Sequence, residues 1–112
     1  YNDSLKDWCA QHHIIMPHIP DYATNCAHMF YLVFNNLEQR TAFIAYLKER
    51  GISSVFHYLS LHKSPYFKNQ YEGADLANSD RYTDCLVRLP LYYELTDADM
   101  DKIISTIKSF HP

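Results

Sequence analysis

An unbroken run from His28 to Phe34, in which every residue after the histidine is apolar or aromatic, restricts the fold of this chain most. The run has the length of a β-strand, and Asn35-Asn36 closes it. Because no polar residue alternates with the apolar ones, we expect a central strand that is covered on both faces. The rest of the chain must then supply the elements that cover this strand.

Two helical patterns lie on either side of that strand. The first runs from about residue 3 to residue 13 and is followed by Pro17 and Pro20, which cannot continue a helix. The second runs from Glu38 to Arg50, and Gly51 stands where a residue in the left-handed conformation would end the helix. We therefore predict one helix before the strand and one directly after it.

The last helix has the clearest start. Thr96 followed three residues later by Asp99 predicts a capping box, and Leu95 with Met100 occupies the two positions of a hydrophobic staple. Apolar residues then recur on one face, so we expect this helix to pack on a sheet. They are Met100, Ile103, Ile104, Ile107 and Phe110.

The segments between these helices complete the predicted sheet. Residues 53–59 are rich in β-branched and aromatic residues, and the alternation of Val87, Leu89 and Leu91 with Arg88 and Pro90 indicates a third strand. Residues 60–78 are loop-like, and loops of that length are commonly functional. A short helix is expected from Ser79-Asp80, as its cap, to Cys85.

This order of elements predicts an α+β fold. We expect a small three-stranded, mainly antiparallel sheet with helices packed on one face. A split βαβ arrangement would place the third strand between the first two. No linker divides the 112 residues into two cores, so we expect residues 1–112 to form a single domain.

Charge, cysteine usage and histidine spacing exclude several functions. The formal net charge of -3, with scattered basic residues, argues against a nucleic-acid partner, and no apolar run approaches the length needed to cross a membrane. Cys9, Cys26 and Cys85 show no ligand or disulfide spacing, so we expect buried free thiols. The seven histidines lack metal-ligand spacing, so we predict no metal site.

A candidate ligand site lies where the second predicted strand ends. His57, Tyr58 and His62 place imidazole and phenol groups at a strand exit, and binding loops are commonly mounted there on a rigid scaffold. Such groups suit phosphate and sugar hydroxyl oxygens. The residues alone leave a second interpretation open, in which these are core or surface side chains with satisfied hydrogen bonds.

An ordered set of motifs resembles the C-terminal portion of the DegT/DnrJ/EryC1/StrS sugar-nucleotide transaminases, in particular the dTDP-4-dehydro-6-deoxyglucose aminotransferases. The resemblance covers nearly the whole chain. The motifs are Ala27-His28-Met29-Phe30-Tyr31, Leu47-Lys48-Glu49-Arg50-Gly51-Ile52, His57-Tyr58, Leu61-His62, Asp80-Arg81-Tyr82, Arg88-Leu89-Pro90-Leu91-Tyr92 and Leu95-Thr96.

The resemblance implies a fold-type I aminotransferase. Such an enzyme is a cytoplasmic homodimer that uses pyridoxal phosphate (PLP) to move an amino group, usually from glutamate, to a keto carbon of a nucleotide-linked sugar. It holds PLP and the catalytic lysine in a large N-terminal domain that this sequence lacks. We therefore expect an excised small domain, as the missing initiator methionine also suggests, with no catalytic residue, no bound PLP and no activity alone.

The resemblance also implies roles for individual residues. His57, Tyr58 and His62 match positions that resemble a wall of the active-site cleft near the sugar nucleotide, and His28 is expected to approach that cleft. The loop from Lys63 to Asn78 departs from the family pattern in length and composition, so we assign it no specific contact with the substrate. Two other classes remain open: a free-standing ferredoxin-like ligand-binding or regulatory module, and a purely structural interaction domain.

Overall fold

The computed structural model describes all 112 residues, and its elements follow the predicted order. Each element lies within a few residues of its predicted position, which is the usual precision of a boundary. The helices are α1 (Asn2–Gln11), α2 (Leu37–Glu49), α3 (Ala77–Cys85) and α4 (Asp97–Lys108). The strands are β1 (Phe30–Val33), β2 (Val55–Phe56) and β3 (Leu86–Leu89), and a single 3₁₀ turn spans Leu61–Lys63.

The three strands form one antiparallel sheet with β3 in the middle. On one side Leu32 of β1 pairs with Val87, and on the other Val55 of β2 pairs with Arg88. The α+β prediction and the placement of the third strand between the first two are confirmed. The prediction that residues 28–34 form the central strand is wrong, because β1 lies at one side of the sheet.

A central position in the sheet does not explain why β1 is apolar. Leu32 is fully buried in the main core, whereas its neighbour Val33 packs with Cys85 and Leu86 in a small second cluster. The outer edge of β1 is also covered in part, because Val33 forms an isolated bridge with Ile15, in the connector between α1 and β1. Both faces of β1 are therefore buried although the strand has only one strand neighbour.

One core joins the helices to one face of the sheet. Helices α1, α2 and α4 each contribute buried side chains to a cluster of fourteen residues, which also includes side chains from β1 and β3. Because successive side chains of a strand point to opposite faces, Arg88 lies on the face away from the core that α1, α2 and α4 form. Members of this cluster from the helices and strands include Leu5, Trp8, Leu32, Phe43, Leu47, Val87, Leu89, Ile103 and Ile107.

Two predicted helix ends are confirmed, and one is wrong. The backbone N–H of Asp99 donates to Oγ1 of Thr96 at 3.2 Å, and the N–H of Thr96 donates to Oδ2 of Asp99 at 3.3 Å. Gly51 has a φ of +73° after α2, a conformation that glycine adopts without strain. Helix α3, however, begins at Ala77 with no side-chain cap, because the carboxylate of Asp80 binds elsewhere.

The thiol prediction holds for two of three cysteines. Cys9 and Cys85 are buried free thiols, and burial raises the pKa of the Cys9 thiol to about 11. Cys26 is exposed, which contradicts the prediction, because the connector between α1 and β1 lies on the surface. No helix of the structure combines the length and the apolar composition that a bilayer crossing requires.

The capping box should contribute measurably to the stability of the fold. We expect Thr96→Ala to lower the free energy of unfolding by about 1 kcal/mol, because the backbone N–H of Asp99 loses its acceptor and the Asp99 carboxylate loses the hydroxyl that holds it in the box. Urea denaturation of the chain measures this change. The matched control is Thr41→Ala on the exposed side of α2, which we expect to change stability by less than about 0.5 kcal/mol. Equal effects of the two variants would show that the box does not fix α4.

Candidate functional site

His57 and Tyr58 follow β2 directly and form a pair of stacked rings. Their ring centroids are 3.8 Å apart with an interplanar angle of 33°. The imidazole is half-buried, while Tyr58 is 68% exposed. A large aromatic side chain held this far in solvent is available to a ligand or to another part of a larger protein.

Arg88 fixes the protonation state of His57. Nη1 of Arg88 lies 2.9 Å from Nδ1 of His57. Because a guanidinium can only donate, Nδ1 accepts this hydrogen bond, so the single proton of the neutral ring sits on Nε2. Desolvation lowers the pKa of His57, and the charges of Arg88 and His28 lower this pKa further. At neutral pH the ring is therefore uncharged and presents an Nε2–H donor.

His28 lies close enough to His57 to affect its titration and is itself exposed. Its Nδ1 is 3.1 Å from Sγ of Cys26. It also borders an open cleft of about 840 Å³, which Tyr31 and the start of α1 line on other sides. We call His28, His57, Tyr58 and Arg88 the His57 cluster.

His62 belongs to a second group, the Asp80 cluster, which consists of His62, Lys63 and Asp80. Nζ of Lys63 lies 2.7 Å from Oδ2 of Asp80, and Nε2 of His62 lies 3.2 Å from Oδ1. The orientation of the His62 contact is not that of a hydrogen bond, since both atoms remain unpartnered. The His62 side chain is only 8% exposed and borders an apolar pocket of about 260 Å³ beside Tyr71.

A chain of hydroxyl groups connects the two clusters through α3. Oγ1 of Thr83 donates to the carbonyl of Tyr58 at 3.0 Å and lies 2.8 Å from Oγ of Ser60. Ser79 adds a weaker contact to Ser60 at 3.3 Å. The backbone between the two clusters is thus attached to α3 by side-chain hydrogen bonds rather than by strand pairing.

The structure brings together three of the four predicted site residues. His57, Tyr58 and His28 lie in one cluster, and His62 is buried in the other. Sequence reasoning missed Arg88 and Asp80 as members of these clusters. A signal was present for Arg88, because it is the only charged residue of β3 and stands between Val87 and Leu89, which face the core.

The chain offers no lysine for PLP and no group of metal ligands. All six lysines are exposed, and Lys63 is the only one that forms an ion pair. PLP enzymes hold the cofactor on a lysine whose pKa is lowered in a desolvated site, so these residues do not fit that role. No three His, Cys, Asp or Glu side chains converge at distances suited to a metal ion.

Comparisons with known proteins give one consistent result. The sequence profile of the DegT/DnrJ/EryC1/StrS aminotransferase family matches residues 1–108. A DegT DnrJ EryC1 StrS aminotransferase from Brucella abortus superposes with a TM-score of 0.80 at 30% identity, over 99% of this chain and 28% of that one. The chain is also similar to MJ1066 of Methanocaldococcus jannaschii, an uncharacterised protein, with 28% identity over 85% of this chain and 26% of that protein.

A third relative was solved with a cofactor. Spr1654 of Streptococcus pneumoniae, assigned as a sugar aminotransferase and solved in a PLP form, superposes with a TM-score of 0.77 at 27% identity. The alignment covers 96% of this chain and 28% of Spr1654. The chain thus spans between a quarter and a third of the length of each of these three relatives.

The Asp80 cluster should make stability depend on acidity. The hydrogen bond from Lys63 holds the pKa of Asp80 below its usual value of 3.8. Because the native pKa lies below that of the unfolded chain, the stabilisation is complete above about pH 4 and is lost as the pH falls through the native value. We expect Asp80→Asn to lower the urea midpoint at pH 7 and to have a smaller effect at pH 2.

Asp84→Asn is the matched control for this experiment. Asp84 lies on the same helix with an exposed side chain that makes no hydrogen bond, so its replacement should leave the urea midpoint nearly unchanged. A difference between Asp80→Asn and the parent chain that stays constant from pH 7 to pH 2 would show that the ion pair is not responsible.

Proposed function

Because this chain belongs to the DegT/DnrJ/EryC1/StrS aminotransferase family, we propose that it is the C-terminal small domain of a PLP-dependent sugar-nucleotide aminotransferase. The substrate in this proposal is a nucleotide-linked 4-keto-6-deoxy sugar carried on dTDP. Two facts support a domain of a larger enzyme: the chain spans 28% of the relatives from Brucella and Streptococcus, and its fold matches theirs over nearly its full length.

In this proposal the chain forms one wall of the substrate cleft. The observation that carries this role is the His57 cluster, in which Arg88 leaves the neighbouring imidazole with a free Nε2–H donor. The exposed ring of Tyr58 stands beside it. Hydrogen-bond donors beside an exposed amphipathic ring suit the oxygens of a sugar nucleotide.

His62 has a different part in the proposed cleft. Its ring is buried against Tyr71 and lies beside Asp80, so it does not present a free edge in the way that His57 does. We assign it a positioning role, in which it helps to pack the 3₁₀ turn that follows Tyr58. Loss of His62 should then disturb the cleft through the backbone and not through a lost ligand contact.

The cofactor and the chemistry belong to the remainder of the proposed enzyme. PLP supplies the amino-group transfer there, held with the catalytic lysine in a large N-terminal domain, and the intact protein is a cytoplasmic homodimer that takes its amino group from glutamate. The six exposed lysines support this division, since none is placed to hold PLP. The chain alone is then inactive and binds no PLP. No observation favours a free-standing regulatory module.

The proposal is tested in the full-length protein that contains this chain. We expect its absorbance spectrum to show bound PLP, to change on addition of glutamate, and to return when a dTDP-linked 4-keto-6-deoxy sugar is added. The isolated 112 residues should show none of these changes. A full-length protein without bound PLP, or one that never responds to a nucleotide-linked keto sugar, would contradict the proposal.

A substitution at His57 tests the role of the cleft wall. We expect His57→Ala to raise KM for the nucleotide sugar about tenfold, the effect of losing roughly one hydrogen bond to a charged or polar group, with KM for glutamate unchanged. His111→Ala, at an exposed position near the end of the chain, is the matched control and should alter neither KM. Unchanged kinetics in His57→Ala would show that this residue has a purely structural role.

A further inference from the structure

Arg88 carries a half-buried positive charge that nothing in the chain neutralises. Its side chain lies on the sheet face away from the core that α1, α2 and α4 form, and none of the ion pairs in the chain includes it. Its Nε is buried and has no hydrogen-bond partner. Burial of a charge without a counter-ion is unfavourable, and it persists mainly where a ligand or another part of the protein supplies the opposite charge.

The only hydrogen-bond partner of Arg88 is a neutral ring. Nη1 donates to Nδ1 of His57, which leaves the other Nη–H groups free and aligns the imidazole with its Nε2–H available. Tyr31 and Val55 are the strand partners of Arg88, and Tyr58 stacks on His57, so these neighbours bring a phenol and aromatic surface but no carboxylate. His28 adds a further imidazole. The cluster therefore presents donors and positive charge together.

We propose that Arg88 and His57 together bind the diphosphate of the nucleotide-linked sugar, Arg88 through its free guanidinium N–H groups and His57 through Nε2–H. This inference rests on the proposed function and names the part of the substrate that the His57 cluster recognises. A guanidinium binds phosphate oxygens through paired N–H groups, which an ammonium cannot do. Arg88 is thus a substrate-binding residue and also the residue that positions His57.

A diphosphate suits this cluster better than a single carboxylate. The amino donor glutamate would also bring negative charge, but Nδ1 of His57 faces the guanidinium, so Nε2–H points away from it and the two closely spaced oxygens of one carboxylate would not reach both donors. A diphosphate offers acceptor oxygens on two linked groups, enough for both side chains at once. The two anions are separated experimentally by measuring sugar-nucleotide and glutamate kinetics in the same variants.

The test uses the intact enzyme and the variants Arg88→Gln and Arg88→Lys. We expect Arg88→Gln to raise KM for the nucleotide sugar and the inhibition constant of dTDP about ten- to hundredfold, because a charge-assisted contact to phosphate is lost. Inhibition by thymidine, which lacks phosphate, should be unchanged, as should KM for glutamate. Arg88→Lys should recover only part of the loss, because it keeps the charge without the planar fork.

Arg50→Gln is the matched control. This arginine lies at the end of α2 in the helix layer, where it already contacts Tyr46 and Glu49, so its loss should leave dTDP inhibition unchanged. Thermal unfolding and the spectral response to glutamate confirm that each variant is folded and holds PLP. This response also separates the two claims, because the parent enzyme would fail it if the proposed function were wrong.

Three results would overturn the inference while leaving the proposed function intact. Unchanged dTDP inhibition in Arg88→Gln would show that the guanidinium does not meet the diphosphate. An equal loss for thymidine and dTDP would indicate a general distortion of the cleft. A rise in KM for glutamate alone would assign Arg88 to the amino donor.

Discussion

Strand β3 pairs with both of the other strands, and the alternation of its side chains determines which residues lie on each face of the sheet. Val87 and Leu89 point into the core that α1, α2 and α4 close, so the residue between them must point to the opposite face. That residue is Arg88. A central strand cannot shift its register by one residue without moving the apolar pair to solvent, so the position of the arginine is fixed by the burial of its neighbours.

The opposite face is shaped by a short strand and by α3. Strand β2 has only two residues, so sheet pairing ends just before His57. From there the hydroxyl groups of Thr83 and Ser60 and the Lys63–Asp80 ion pair attach the backbone to α3. The chain thereby leaves the sheet at a defined point, with the His57 ring within hydrogen-bond distance of Arg88. A loop held in this manner combines exposure of its side chains with a fixed backbone.

Local signals in the sequence predicted much of this fold, whereas contacts between distant segments were harder to foresee. The capping box at Thr96 and the glycine after α2 depend on neighbouring residues, and both are observed. The start of α3 was misplaced because the carboxylate of Asp80 binds Lys63, a partner seventeen positions earlier in the chain that no helix pattern reveals. The apolar run of β1 was assigned to a central strand because burial on both faces looks the same in a sequence whether strands or a connector provide it. Arg88 was seen as a strand residue and not as a partner of His57, because the two residues are 31 positions apart and meet only through the tertiary fold.

The central claim is that this chain forms one wall of the substrate cleft, while the rest of the aminotransferase holds PLP and the catalytic lysine. A crystal structure of the intact enzyme with a bound nucleotide sugar tests it most directly. The account predicts diphosphate oxygens within hydrogen-bond distance of the Arg88 guanidinium and of Nε2 of His57, with PLP held entirely by residues outside these 112. A nucleotide sugar bound without contact to the sheet face that carries Arg88, or PLP attached to a lysine of this chain, would contradict it.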